Sequence, residues 1–115
     1  MQIAIDDAGT TAKVVLKGRL DAAGAGAVAA PLAQLAEQKN GLVIDLSGVP
    51  FLASVGIRQL VTAAKTLTRR GGRLVLLNPT KEVYEVLTIS AINDLIPIAR
   101  SDKDAQAILA AALSG

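Results

Sequence analysis

The 115-residue chain contains no cysteine and no histidine. The first absence excludes a disulfide scaffold, a thiolate zinc site and a cysteine nucleophile. The second removes the commonest general base and the commonest metal ligand. Aromatic residues make up 2% of the sequence, Phe51 and Tyr84, against 51% hydrophobic residues. The core therefore has to be built from Val, Ile, Leu and Ala, which suits helices packed on a sheet. No apolar run approaches the roughly 18 residues a spanning helix needs. The opening Met1-Gln2-Ile3-Ala4-Ile5-Asp6-Asp7 lacks a positively charged region and a long apolar stretch, so no signal peptide is read there. The expectation is one domain, residues 1–115, cytoplasmic, without direct membrane insertion.

Net charge is only +2, but its distribution is uneven. No acidic residue lies between Asp45 and Glu82, whereas Arg58, Lys65, Arg69, Arg70, Arg73 and Lys81 fall there.

Ile3 and Ile5, then Val14-Val15-Leu16, read as two strands joined by an Asp6-Asp7-Ala8-Gly9 turn, the second closed by Gly18-Arg19-Leu20-Asp21. An alanine-rich helix follows, with Val28, Leu32 and Leu35 at helical spacing. Pro31 is expected to kink it or to mark its restart. Leu42-Val43-Ile44-Asp45-Leu46 has the composition of a strand covered on both faces. Ser54 to Arg70 is the clearest helix, with an apolar stripe of Ile57, Leu60, Val61, Ala64 and Leu67. Arg58, Thr62, Lys65 and Arg69 form its polar face, and Gly71-Gly72 stops it. Leu74–Leu77 is a further buried strand. Asn78-Pro79 reads as N-cap and first position of a helix with Val83, Val86 and Leu87 inward. Ile96-Pro97-Ile98 reads as an edge strand, and Ser101 with Asp104 as a capping box opening a last helix with Ala105, Ile108, Leu109 and Ala112 inward. The order β-β-α-β-α-β-α-β-α implies an α/β domain: a mixed, largely parallel sheet of four to five strands packed with about four helices.

Four segments bear on chemistry. Gly24-Ala25-Gly26-Ala27-Val28-Ala29 has the spacing of a dinucleotide fingerprint, but Arg19 to Ala23 separate it from the strand end, and the plainer reading is close helix–sheet packing. A serine nucleophile finds no histidine base and no nucleophile elbow around Ser54, so no catalytic residue, metal or cofactor is assigned and the chain is not read as an enzyme. The basic face of the Ser54–Arg70 helix suits solvent or an acidic protein surface, and nucleic acid is not expected without base-stacking aromatics. Last, a buried strand runs through Asp45-Leu46-Ser47-Gly48-Val49-Pro50-Phe51-Leu52-Ala53 into Ser54, read as helix N-cap, with Gly56 in the first turn. Glycine there costs about 1 kcal/mol against alanine, which makes sense where another surface approaches the backbone closely.

These segments, in this order, resemble the STAS domain family of sulfate transporters and anti-sigma-factor antagonists across essentially the whole chain. The resemblance lies in Gly18-Arg19-Leu20-Asp21, in Leu42-Val43-Ile44-Asp45-Leu46-Ser47, in Val49-x-Phe51-Leu52-x-Ser54-x-Gly56-Ile57, and in Asn78-Pro79. Ser90 to Ile98 match the family's ending only loosely. The resemblance implies a STAS-like fold and an anti-sigma factor antagonist that binds an anti-sigma factor of the GHKL serine-kinase type. Ser54 would be the phosphorylated residue whose modification switches binding off, and a PP2C-type phosphatase would reset it. It implies a docking surface of Asp21, Ala53, Ser54, Val55, Gly56 and Arg58. Two positions depart from the family pattern: Ala53 stands where an Asp usually precedes the phospho-serine, and Val55 where Ser or Thr is frequent. The alternative is a STAS module that is not phosphorylated and serves as a fixed subunit of a membrane-associated transporter or signalling complex.

Overall fold

A computed structural model describes residues 1–113. Strands β1 (Gln2–Asp7) and β2 (Thr11–Lys17) form a hairpin, followed by helix α1 (Ala22–Gln38), strand β3 (Gly41–Gly48) and helix α2 (Ser54–Arg69). Strand β4 (Arg73–Leu77), helix α3 (Lys81–Ile89), a 3-10 turn (Ile92–Asp94), strand β5 (Ile98–Ala99) and helix α4 (Asp102–Leu113) complete it. The sheet order is β1-β2-β3-β4-β5. The β1–β2 pair is antiparallel and the other three pairings are parallel, as the element order requires.

β3 lies in the middle of the sheet, and its alternation explains an apolar run broken only by Asp45. Leu42, Ile44 and Leu46 point into the main core with Val28, Leu32 and Leu35 of α1, Leu60 and Leu67 of α2, and Val83 and Leu87 of α3. Val43 points the other way, into a smaller core with Val75, Leu77 and Ala99 under Ala105 and Leu109 of α4. Ser101 caps α4, its Oγ accepting from the Asp104 N–H at 3.2 Å.

Three local expectations are corrected. α1 runs unbroken through Pro31, because Val28, Leu32 and Leu35 bury one continuous face on both sides of it. α3 starts at Lys81 with Thr80 as N-cap, Thr80 Oγ1 accepting from the Val83 N–H at 3.3 Å. Asn78 instead takes a left-handed conformation (φ 48°) at the exit of β4 and donates its N–H to the Ala99 carbonyl at 2.7 Å. On α2 the buried residues are Gly56, Leu60, Ala63 and Leu67. Ile57, Val61 and Ala64 are half-buried at the margin of that face.

Lys39, at the end of α1, is the one buried charged residue among the described residues; its ammonium donates to Asp7 Oδ1 and to the Gly9 carbonyl, both at 2.6 Å. This ties α1 to the β1–β2 turn. Arg70 clamps the far end of α2 to the same place, donating to the carbonyls of Ala36 at 2.5 Å and Lys39 at 2.8 Å.

Candidate functional site

β2 and β3 are parallel, so the chain leaves both at the same edge of the sheet, the edge where open α/β sheets carry their sites. The two exits run side by side. Leu20 and Leu52 form a parallel bridge, the Leu20 N–H donates to the Phe51 carbonyl at 2.9 Å, and the Ala53 N–H donates to the Leu20 carbonyl at 3.0 Å. This short ladder sets Asp21, at the start of α1, beside Ala53 and Ser54, at the start of α2, although 32 residues of chain lie between Asp21 and Ser54.

Asp21 caps α1: its Oδ1 accepts from the Gly24 N–H at 3.0 Å. That bond, with the Arg19 guanidinium 3.7 Å from Oδ2, holds the carboxyl below the usual carboxylate range. Gly24 is buried where a Cβ would collide with the Arg19 carbonyl oxygen, so this glycine serves close packing, whereas Gly26 is exposed with open space around it. The Arg19 guanidinium in turn lies over the Phe51 ring, 4.3 Å from its centroid. Phe51 is 39% exposed.

Ser54 is the first residue of α2 and is exposed. It is not the N-cap; Ala53 is, in extended conformation (φ −91°, ψ 167°), and among the described residues no side chain caps this helix. The reason is tertiary. The Ala53 N–H is committed to Leu20, which keeps Ala53 extended and lets the first intrahelical bond run from the Ile57 N–H to the Ala53 carbonyl at 3.1 Å. The N–H groups of Ser54, Val55 and Gly56 thus form the unpaired first turn of a helix, the end carrying its positive partial charge.

Val55 is half-buried and Arg58 exposed, one turn beyond Ser54. Gly56 points inward: a Cβ there would lie 2.8 Å from Leu52 Cδ1 and 2.9 Å from both Leu20 Cγ and the Leu20 carbonyl oxygen. The surface that approaches this glycine closely is therefore the chain's own Leu20. Gly56 underlies the candidate docking face and does not line it.

The structure so brings Asp21, Ala53, Ser54 and Val55 to one edge, with Arg58 on the adjoining turn. It adds Arg19 and Phe51, which the sequence reading did not assign. Their signal was an exposed aromatic in a chain that has only two, at the end of a strand exit. Among the described residues no cluster of three or more His, Cys, Asp or Glu is placed to hold a metal ion. No helix of the described residues is long and apolar enough to cross a membrane.

A family model described as the STAS domain matches residues 2–105. The chain is 33% identical over 99 residues to BtrV of Bordetella bronchiseptica, a proposed anti-sigma factor antagonist, covering 85% of each. It is 30% identical over 86 residues to the anti-sigma-B factor antagonist of Bacillus subtilis, covering 75% of this chain and 79% of that protein. In fold it is similar to the anti-sigma factor antagonist SpoIIAA in its unphosphorylated form, with a TM-score of 0.79 at 18% identity over 93% of this chain and 96% of that one. The phosphorylated form of SpoIIAA, a Bacillus cell fate determinant, gives a TM-score of 0.73 at 17% identity over 93% and 99%.

Proposed function

Given that the chain belongs to the STAS domain family, we propose that it is an anti-sigma factor antagonist whose binding to its partner is switched off by phosphorylation of Ser54. The observation that carries this reading is the position of Ser54: exposed, first in α2, on a helix end with no side-chain cap, beside Asp21. Relatives named as anti-sigma factor antagonists support the class, and a same-fold antagonist known in both phosphorylation states supports the switch.

In this proposal the partner is an anti-sigma factor of the GHKL serine-kinase type. Ser54 Oγ attacks the γ-phosphorus of ATP held by that kinase, the O–P bond to ADP breaks, and the serine proton passes to a base of the kinase. The product carries about −1.5 to −2 charge. Unpaired N–H groups and the helix dipole accommodate an anion at this position. Phosphorylation thus leaves this fold standing and acts across the interface, by repulsion or by stranding a charge against the partner. A loss of about 3 kcal/mol there weakens binding roughly a hundredfold, which is enough for a switch. A PP2C-type phosphatase resets the cycle.

Ala53, in the place where antagonists of the family usually carry Asp, favours the second reading, a constitutive binding subunit in which Ser54 only starts the helix. Intact mass after incubation with ATP and each GHKL-type kinase of the source organism tests both. One added phosphate, mapped to Ser54, identifies the kinase and supports the switch. An unmodified chain recovered in a stable complex assigns the fixed-subunit role.

A further inference from the structure

At the other end of α2 the molecule carries a groove of about 370 Å³, inside the range of roughly 300–1,000 Å³ typical of small-molecule sites. One wall is α2, which presents Val61, Ala64 and Thr68. The facing wall is the segment after the 3-10 turn, Leu95 and Ile96. Ala64 is short, and the half-buried margin of α2 it belongs to leaves the groove unfilled. Leu95 stands 62% exposed over it, an apolar side chain left in water. Lys65 and Arg69, both exposed and one helical turn apart, complete the lining.

The charge is one-sided. Residues 46–81 contain no acid to neutralise Lys65 or Arg69, and neither cation has a salt bridge among the described residues. Arg69 has only a long contact of 3.5 Å to Thr66 Oγ1. The lining holds no acidic residue, so Lys65 and Arg69 on the α2 side set the sign of the charge and attract an anion there. The groove is apolar in its body and cationic at one margin, the pattern that an amphiphile with an anionic head complements.

We propose that this groove binds a free single-chain amphiphile with a carboxylate head, its hydrocarbon chain lying between Ala64 and Leu95 and its head paired with Arg69 and Lys65. Arginine suits the head because its planar fork matches a carboxylate in two parallel hydrogen bonds. The groove sits on a different stretch of α2 from Ser54 and Arg58, so this inference does not depend on the switch proposed above.

The test uses the whole chain, isotopically labelled, titrated with decanoate below its micelle concentration and followed by amide chemical shifts. Shifts concentrated in residues 61–69 and 92–96 are expected. Decanol and decyltrimethylammonium are expected to bind about tenfold more weakly, because they lack the anion. Shortening the probe from decanoate to nonanoate is expected to weaken binding about fourfold, the worth of one buried methylene. The variant K65E/R69E changes exposed side chains and should remain folded, which its spectrum verifies, while losing about tenfold in decanoate affinity. Shifts scattered over the surface, equal binding of the cationic probe, or unchanged affinity in the folded double variant would each overturn the proposal.

Discussion

Gly56 of α2 and Leu20 of the β2–α1 connection meet so closely that a methyl group on Gly56 would stand 2.9 Å from the Leu20 carbonyl oxygen. The same oxygen accepts the Ala53 N–H, so it has no room to retreat. Gly56→Ala is therefore expected to destabilise the protein by about 1–2 kcal/mol, overpacking outweighing the better helix propensity of alanine. Gly26 in α1 has nothing within 4 Å of its would-be Cβ, and Gly26→Ala should stabilise by about 0.5–1 kcal/mol. Urea midpoints of the two variants check the contrast; a stabilised Gly56→Ala would refute it.

Charge at position 54 is expected to matter to binding and not to folding. Ser54→Asp should weaken anti-sigma factor binding by tenfold or more, whereas Ser54→Ala should bind like the unmodified protein and resist phosphorylation. Both should melt within a few degrees of wild type, because the side chain is exposed and caps nothing. Titration calorimetry against the purified partner, with thermal melts alongside, separates the two effects. Identical affinity for both variants would sink the switch.

Phe51 and Arg58 probe the extent of the docking face. Phe51→Ala removes a 39% exposed ring stacked on Arg19 and should cost partner affinity about tenfold, in the manner of an aromatic anchor. Arg58→Glu should likewise disturb docking more than stability, since that side chain is exposed. A large fall in melting temperature with unchanged affinity for either variant would place it outside the interface.

Acid should loosen the fold at two carboxylates. The Asp7 carboxyl is held below its ordinary value of 3.8 chiefly by the Lys39 ammonium, then by the Gly9 N–H. The Asp21 carboxyl is held below the same value chiefly by the Gly24 N–H, with Arg19 adding to it. Both are lower in the folded chain than in the unfolded one, so their contribution is complete above about pH 3.8 and disappears as pH falls through the folded values. Melting temperature should drop less steeply below pH 4 in Asp7→Asn/Asp21→Asn than in wild type. Parallel pH profiles would contradict the assignment.

What the sequence made legible were features that depend on side-chain periodicity. The run Leu42–Leu46 announced a strand covered on both faces, and the two cores on either side of β3 are the reason. Cap positions were legible only in part: Ser101 caps α4 as its spacing to Asp104 predicted, whereas the caps of α2 and α3 depend on where the backbone turns. Serine is a better N-cap than alanine, yet Ala53 takes the position since its N–H is bound to Leu20 from a remote segment. Asn78 likewise lost its expected cap role to Thr80 because β5 claims its N–H. Pro31 signalled a break that burial of the surrounding face overrode. The edge proposed for docking was half legible: Ser54 and Asp21 stand in recognisable segments, but only the parallel pairing of β2 and β3 makes them neighbours.

The ladder joining Leu20 to Phe51 and Ala53 is made of main-chain atoms alone. A scaffold held that way is indifferent to which side chains are mounted on its outer surface. On the function proposed, duplicated copies of such a gene can therefore drift apart at the exposed positions Arg19, Phe51 and Arg58 without losing the frame beneath, and each copy can acquire its own cognate partner. Insulation between parallel signalling circuits in one cell then becomes a matter of a few surface substitutions, with the architecture inherited unchanged.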